Sequence, residues 1–343
     1  MPVPGADWKS SKELITMGFS PKPTDALKLN LELYRKLYLA RQAEESIRAH
    51  YAENEMKTPM HMSMGEEAIA VGVVSVLGPD DQIFATYRSH AIYLARTEDS
   101  DDFFAEMYGK ETARLKGKGG SMHMCDPERG FMGTSAIVAS AIPVAVGAAF
   151  ASRKQGNDTI TVAFFGDGAC DEGVFWESLN LACLMKLPVL FVCEDNGLAV
   201  HTPQSLRQGY RSIAAIVSKF NCQVLEETST DAEVIYDLTR KAINLIKANR
   251  QPVFMHLQYY RYLEHVGVNE DFDAGYRSRK EFEEWRQVDP VNLQRKKLLG
   301  NGTSETEIAK IETKIDRQIE NSLKKAKDAP FANDAELCRG VFS

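Results

Sequence analysis

No apolar run in these 343 residues reaches the length needed to cross a bilayer. The start, Met1-Pro-Val-Pro-Gly-Ala-Asp-Trp8, lacks the basic residues and apolar core of a secretory signal, and no Arg/Ser-rich transit segment opens the chain. A cytoplasmic location with no membrane partner is therefore expected. Basic stripes interleaved with aromatics are also missing and the formal net charge is −7, which argues against nucleic acid as a partner. The six cysteines, Cys125, Cys170, Cys183, Cys193, Cys222 and Cys338, show no paired metal-ligand spacing. They read as free thiols, with Cys183 and Cys193 in apolar patterns and Cys170 of most interest because it follows Gly-Asp-Gly. Gly117-Lys-Gly-Gly-Ser-Met-His-Met124 lacks the Gly-Lys-Ser/Thr ending of a P-loop, and no apolar strand precedes it. It reads as a glycine hinge rather than a nucleotide loop. There is no internal repeat and no long linker.

Hydrophobic residues at 44% and charged residues at 26% describe an ordinary globular chain. Its length is at the upper end for one domain, so residues 1–343 read as a single elaborated α/β domain, with a helical arm over 1–60 and a helical extension over 280–343. Leu27, Leu31, Tyr34 and Tyr38 place a helical stripe within 25–58, and small residues from Gly65 to Leu77 predict a closely packed helix. Gln82–Thr86 reads as a strand. Strand and helix then alternate through 159–165, 172–186, 188–193, 206–219, 222–227, 231–248 and 252–260, the pattern of a doubly wound parallel sheet. Beyond Arg279 the pattern is helical, with Ile308, Ile311, Ile315, Ile319 and Leu323 on one face.

The most informative stretch is 160–196. One apolar strand ends in Gly166-Asp-Gly168-Ala169, a helix follows, and a second apolar strand ends in Glu194-Asp-Asn196. In a right-handed strand-helix-strand unit both tips face the ligand side of the sheet. Asp167 and Asn196 offer hard oxygen donors, few in number, which suits a magnesium ion that is also held by phosphates. Gly166 and Gly168 let the backbone approach a diphosphate, and a helix from near Asp171 points its amides there. Arg88 is a fixed cation at another strand end. His265, in a polar loop beyond a strand, is the strongest acid/base candidate of the seven histidines and is expected to titrate near neutral pH.

Gly-Asp-Gly followed some thirty residues later by an Asn resembles the thiamin-diphosphate fingerprint. The motifs Tyr87-Arg88-Ser89-His90, Gly117–Met124, Tyr260-Arg-Tyr262 with His265, and Tyr276-Arg-Ser-Arg279 follow in the same order as in alpha subunits of 2-oxo acid dehydrogenases, from about Leu31 to Lys327. The resemblance implies a thiamin-diphosphate-binding fold with magnesium on Asp167, Asn196 and the Leu198 carbonyl. It implies diphosphate contacts from Tyr87, Arg88 and Arg261, aminopyrimidine contacts from the backbone of Ala136 and Val138, His123 near the substrate funnel, and His265 assisting chemistry on the cofactor.

Four departures stand out. Asp195 replaces the first Asn of the usual pair, Leu263 replaces a second His, Ala141 replaces the customary Gln, and the loop 266–275 is acidic and lacks the serines that mitochondrial relatives phosphorylate. No region matches the pyrimidine-binding domain that supplies the ylid-forming Glu. The resemblance thus implies a beta subunit carrying that domain, in a heterotetramer of two alpha-like and two beta-like chains, and a small-molecule 2-oxo acid substrate. Without the beta subunit, the helix from Gly65 and the apolar segment Ile137–Phe150 are expected to leave packing faces in water. Transfer of the acyl group to a lipoyl acyltransferase is one reading. A stand-alone two-subunit acyl or ketol transferase, transketolase-like and acting in sugar modification, is another, and a non-catalytic cofactor-binding paralogue is a third.

Overall fold

The computed structural model describes residues 23–340. Six strands, β1 (Gln82–Thr86), β2 (Phe131–Ser135), β3 (Thr161–Gly166), β4 (Val189–Asp195), β7 (Gln223–Glu227) and β8 (Val253–Gln258), form one sheet in the order β2-β1-β3-β4-β8-β7. Every pairing in it is parallel. β5 (Leu198–Ala199) and β6 (Thr202–Pro203) make a short antiparallel hairpin just past β4.

Side chains alternate across a strand, so each central strand feeds two cores. Val162 and Phe164 of β3 and Leu190 and Val192 of β4 point to one, Ala163, Phe165, Phe191 and Cys193 to the other. The second core is closed by α5 (Ala141–Lys154), α6 (Gly173–Met185) and the short α7 (Ile213–Val217). The first is closed by α1 (Pro23–His50), α2 (Glu67–Val74), α3 (His90–Thr97) and α8 (Ala232–Asn249). Behind these lie α4 (Ser100–Met107), α9 (Arg279–Arg286), α10 (Pro290–Gly300) and α11 (Glu305–Asp328), which starts with a Ser304–Glu307 capping box. This is the doubly wound α/β arrangement that the alternating pattern predicts. No helix among the described residues is long and apolar enough to cross a membrane.

Chain order places the ligand crevice. From β1 the chain passes outward to β2, then returns to the other side of β1 for β3. The switch point of the sheet therefore lies between β1 and β3, and ligands bind past the carboxyl ends of strands at such a point.

Three elements differ from the sequence pattern. The stripe predicted on α1 is too narrow: Leu33, Tyr34, Leu37, Ala40, Ala43 and Ile47 are buried while Leu27, Leu31 and Tyr38 are half-buried, because α2, α3, α10 and α11 surround this helix. α2 is indeed closely packed, and a Cβ on Gly72 would lie 2.7 Å from the Ile235 Cβ of α8. All its residues are buried within this chain, so it leaves no packing face in water. Finally, the helix predicted over 206–219 shrinks to α7, because Arg207 and Gln208 ahead of it are held by Asp167 and Asp171.

A buried ion cluster fixes α1, α2 and α10 to one another. Arg41 Nε donates to Glu67 at 2.6 Å and its Nη1 to Asp289, the N-cap of α10, at 3.0 Å, and Tyr262 Oη donates to the same Asp289 oxygen at 3.0 Å. Removing Arg41 would leave two buried carboxylates without the cation they share, at a cost of about 3–5 kcal/mol.

Candidate functional site

A cleft of about 260 Å³ opens at the switch point. β1 delivers Thr86, Tyr87 and Arg88 to it, β3 delivers Gly166 through Ala169, β4 delivers Glu194 and Asn196, and the segment after β8 delivers Tyr259 and His265. Leu198 of β5 and Val138 also line it. A short 3-10 turn, Asp167–Asp171, separates β3 from α6, so the helix begins at Gly173 and not at Asp171.

Asp167 is one of three carboxylates in the cleft, with Glu66 and Glu194, that keep an oxygen without a partner. It is buried, its Oδ1 has no hydrogen-bond partner, and its Oδ2 accepts from the Arg207 guanidinium and, at 3.3 Å, from Gln204. Burial, with Asp195 as a nearby like charge, pushes its carboxyl up to about 7. Asp195 accepts instead from His256 Nε2 at 2.7 Å, Gln204 Nε2 at 2.8 Å and the Gly197 N–H at 2.7 Å. Burial opposes its charge, but these donors outweigh it and hold the carboxyl below the ordinary range. Asn196 donates to Tyr259 Oη at 2.8 Å, and its Oδ1 accepts the Leu198 N–H at 3.0 Å.

Arg88 is fixed from below. One guanidinium nitrogen donates to the Met62 carbonyl at 2.6 Å and the other to the His265 carbonyl at 3.0 Å. The His265 Nδ1 lies 3.4 Å from Arg88 and 3.3 Å from Arg261. Burial first, then those two cations, push this imidazole down to about 3. The expectation that His265 titrates near neutral pH is therefore corrected: between two guanidiniums it stays neutral, with Nδ1 accepting from the arginines and Nε2 therefore carrying the ring proton as a donor.

Arg261 does not line the cleft. It is buried and donates to the carbonyls of Leu263 and Val200 and to Tyr276 Oη at 2.7 Å. Arg277 braces the same loop through the Arg261 and Leu263 carbonyls and Asp271. The acidic loop is thus folded onto its own cations, with Asp271 paired to Arg277 and Glu270 to Arg279 at 2.9 Å. His123 is exposed and Ala136 half-buried, and neither lines the cleft. All six cysteines are free; Cys170, Cys183, Cys193 and Cys222 are buried.

Several residues escaped the sequence reading. Glu66 and Glu194 are buried at the cleft wall, where burial pushes the Glu66 carboxyl up to about 8 and that of Glu194 well above its usual range. Glu194 was readable from strand alternation, since it shares a face with Asn196. His61, its ring 4.4 Å from Tyr87 and 5.4 Å from His265, arrives from a loop far upstream, and nothing local marks it. Gln204, Arg207 and His256 act through Asp167 and Asp195 and were equally silent.

No group of three or more His, Cys, Asp and Glu among the described residues could hold a metal ion by itself. Beyond Val138 the surface stays apolar and open, with Ile137 72% and Val144 56% exposed, and Leu184 in the last turn of α6 is 72% exposed. The segment Ile137–Phe150 thus leaves an apolar face in water, as expected, whereas α2 does not.

The model of the family described as "Dehydrogenase E1 component" matches residues 35–334. A pyruvate dehydrogenase E1 component subunit alpha of Porphyra purpurea is 33% identical, over 91% of this chain and 92% of its own length. The subunit alpha of an acetoin:2,6-dichlorophenolindophenol oxidoreductase of Bacillus subtilis is 31% identical, over 91% and 93%. A further pyruvate dehydrogenase E1 subunit alpha, of Zymomonas mobilis, is 32% identical over 91% and 88%.

Proposed function

The chain belongs to the dehydrogenase E1 component family, as the alpha subunit of a thiamin-diphosphate-dependent 2-oxo acid dehydrogenase, and we propose that its cleft holds the diphosphate end of that cofactor through a magnesium ion. The observation that carries this is the buried, unpartnered Oδ1 of Asp167 at the switch point. An orphaned carboxylate oxygen costs free energy unless something absent from the chain itself satisfies it.

The donor set fits. Asp167, the Asn196 Oδ1 and the Leu198 carbonyl are hard oxygens, and three of them leave an octahedral ion positions for diphosphate oxygens. Gly168 keeps the wall low: a Cβ there would meet the Ala199 Cβ at 3.1 Å. Tyr87 and Arg88 would face the diphosphate, and Arg261 would act one step back by fixing the His265 loop. The backbone of Ala136 and Val138 would meet the aminopyrimidine at the open apolar edge.

When bound, thiamin diphosphate supplies the carbanion and electron sink for decarboxylation. What this chain contributes is position and charge. Arg88, held by two carbonyls, presents positive charge without reorganising. Neutral His265 offers an Nε2–H donor whose orientation is set by Arg88 and Arg261 on Nδ1, and His61 and Tyr87 pack beside it. His123, exposed at the hinge 117–124, is proposed to meet substrate at the funnel.

The described residues offer no second carboxylate domain for the pyrimidine ring, and the face around Ile137, Val144 and Leu184 is apolar. We therefore propose a beta subunit that covers this face and supplies the ylid-forming Glu, in a heterotetramer, with a lipoyl acyltransferase as acyl acceptor and the cytoplasm as location. Co-expression with a candidate beta subunit tests this, measuring carbon dioxide release from a panel of 2-oxo acids with an artificial electron acceptor. Turnover is expected only from the pair with magnesium and thiamin diphosphate. Activity from the isolated chain, or none from any pair, would overturn the reading.

A further inference from the structure

We infer that Arg207 is a built-in counter-ion for Asp167, a latch that a divalent cation must displace before it can be held. This rests on the reading of Asp167 as the charged metal ligand. The guanidinium forks across two carboxylates, one nitrogen on Asp167 Oδ2 and the other on Asp171 Oδ2 at 2.5 Å, while its Nε donates to the Thr202 carbonyl at 3.3 Å. Its side chain is only 10% exposed. A planar fork that fits carboxylates on two edges is the geometry in which Arg outperforms Lys.

The segment that carries Arg207 is pinned independently. Gln204 Nε2 donates to both Asp195 oxygens, at 2.8 and 2.9 Å, and Asp195 is anchored by His256. Withdrawal of Arg207 from Asp167 therefore does not release the segment. Asp171 and the Thr202 carbonyl remain as its partners, so the displaced guanidinium keeps most of its hydrogen bonds. Only Oδ2 of Asp167 is engaged, and Oδ1 is buried without a partner. An incoming cation can engage the unpartnered oxygen first and compete for the engaged one second.

The physical role follows from charge. Asp167 and Asp195 are both touched by the same Gln204 nitrogen, so two buried carboxylates sit close together. Without a cation between them they repel. Arg207 supplies one positive charge from within the chain when no metal is bound, and thereby sets a threshold for metal entry. The device stabilises the metal-free form and weakens metal binding by the same differential interaction.

The test uses the co-purified complex with its beta subunit, titrating Mg2+ calorimetrically at saturating thiamin diphosphate and recording melting temperature with and without Mg2+. Arg207→Gln is expected to tighten the apparent Mg2+ affinity by about 3- to 10-fold and to lower the melting temperature of the metal-free protein by more than that of the metal-saturated one. Arg207→Lys, which keeps the charge but not the fork, should fall between. Unchanged or weaker Mg2+ binding by a folded Arg207→Gln protein overturns the latch, as does wild-type affinity in Arg207→Lys should the Gln variant not fold. If wild type itself fails to bind magnesium and thiamin diphosphate, the assignment of the cleft has failed instead.

Discussion

The tips of β3 and β4 carry one aspartate each, and the two have opposite fates. Asp195 is saturated by an imidazole, an amide and a backbone N–H, and its charge is stabilised. Asp167 has one oxygen bare and its carboxyl pushed up to about 7. Residue type and burial are the same, so the number of donors decides. The saturated carboxylate acts as framework, and the unsaturated one, at the turn after β3, is the proposed cation ligand.

The comparison breaks most easily by exchanging each carboxylate for its amide. Asp167→Asn removes the one charged group of the proposed metal site, and cofactor affinity in magnesium is expected to fall by about 1,000-fold or more. Asp195→Asn keeps two acceptor-sized groups at a position where the resembling family itself uses Asn, and should change that affinity by less than about 5-fold. Calorimetry on the two variants side by side decides it, and equal losses would end the distinction between framework and site.

The histidines divide in the same way. His256 lies between Asp195 and Glu226, whose attraction outweighs burial and raises its pKa, while His265 lies between Arg88 and Arg261 and is held neutral. His265→Ala should lower turnover by about 100-fold with little change in cofactor affinity, the signature of a group used in the chemistry. His256→Ala should do the reverse on a smaller scale. Losing the donor to a buried carboxylate costs about 1–3 kcal/mol of stability, read as a lower melting temperature, and kcat should stay within about 3-fold.

How much of this was legible follows from how local each signal is. Asp167 and Asn196 sit at the ends of apolar strands five or more residues long, and strand-end position is written in the hydrophobic pattern. The six-stranded sheet was readable for the same reason, except β2, whose Phe-Met-Gly-Thr-Ser has no alternation to mark it. The environment of those tips was not legible. Glu66 reaches the cleft from a helix start, His61 packs on Tyr87 and Arg207 binds Asp167 from behind, and only the fold brings them there. The role of Asp195 needed His256, sixty-one residues on, which reads in sequence as an interruption of a strand. The amphipathic stripe of α1 failed because a helix packed on several sides has no single wet face to define a period.

The smallest expected effect concerns the two kinds of imidazole and pH. His61 is buried and pushed down to about 3, chiefly by burial and then by Arg88. Its unfolded pKa is near 6.5, so below that pH the unfolded chain takes up a proton that the native state refuses. Stability from this residue is therefore present above about 6.5 and is lost as pH falls, by at most about 1.4 kcal/mol per pH unit. His256 has the opposite sign. Its raised pKa means that its contribution is present below about 6.5 and is lost as pH rises through the folded value. Denaturant unfolding from pH 5 to 8 should then show His61→Phe flattening only the acidic side of the stability curve, and His256→Gln only the alkaline side. Comparing each variant with wild type cancels the other titrating groups to first order. If both variants flatten the same side, the two imidazoles share one charge state, and the contrast between a saturated tip and an open site does not extend beyond the two aspartates.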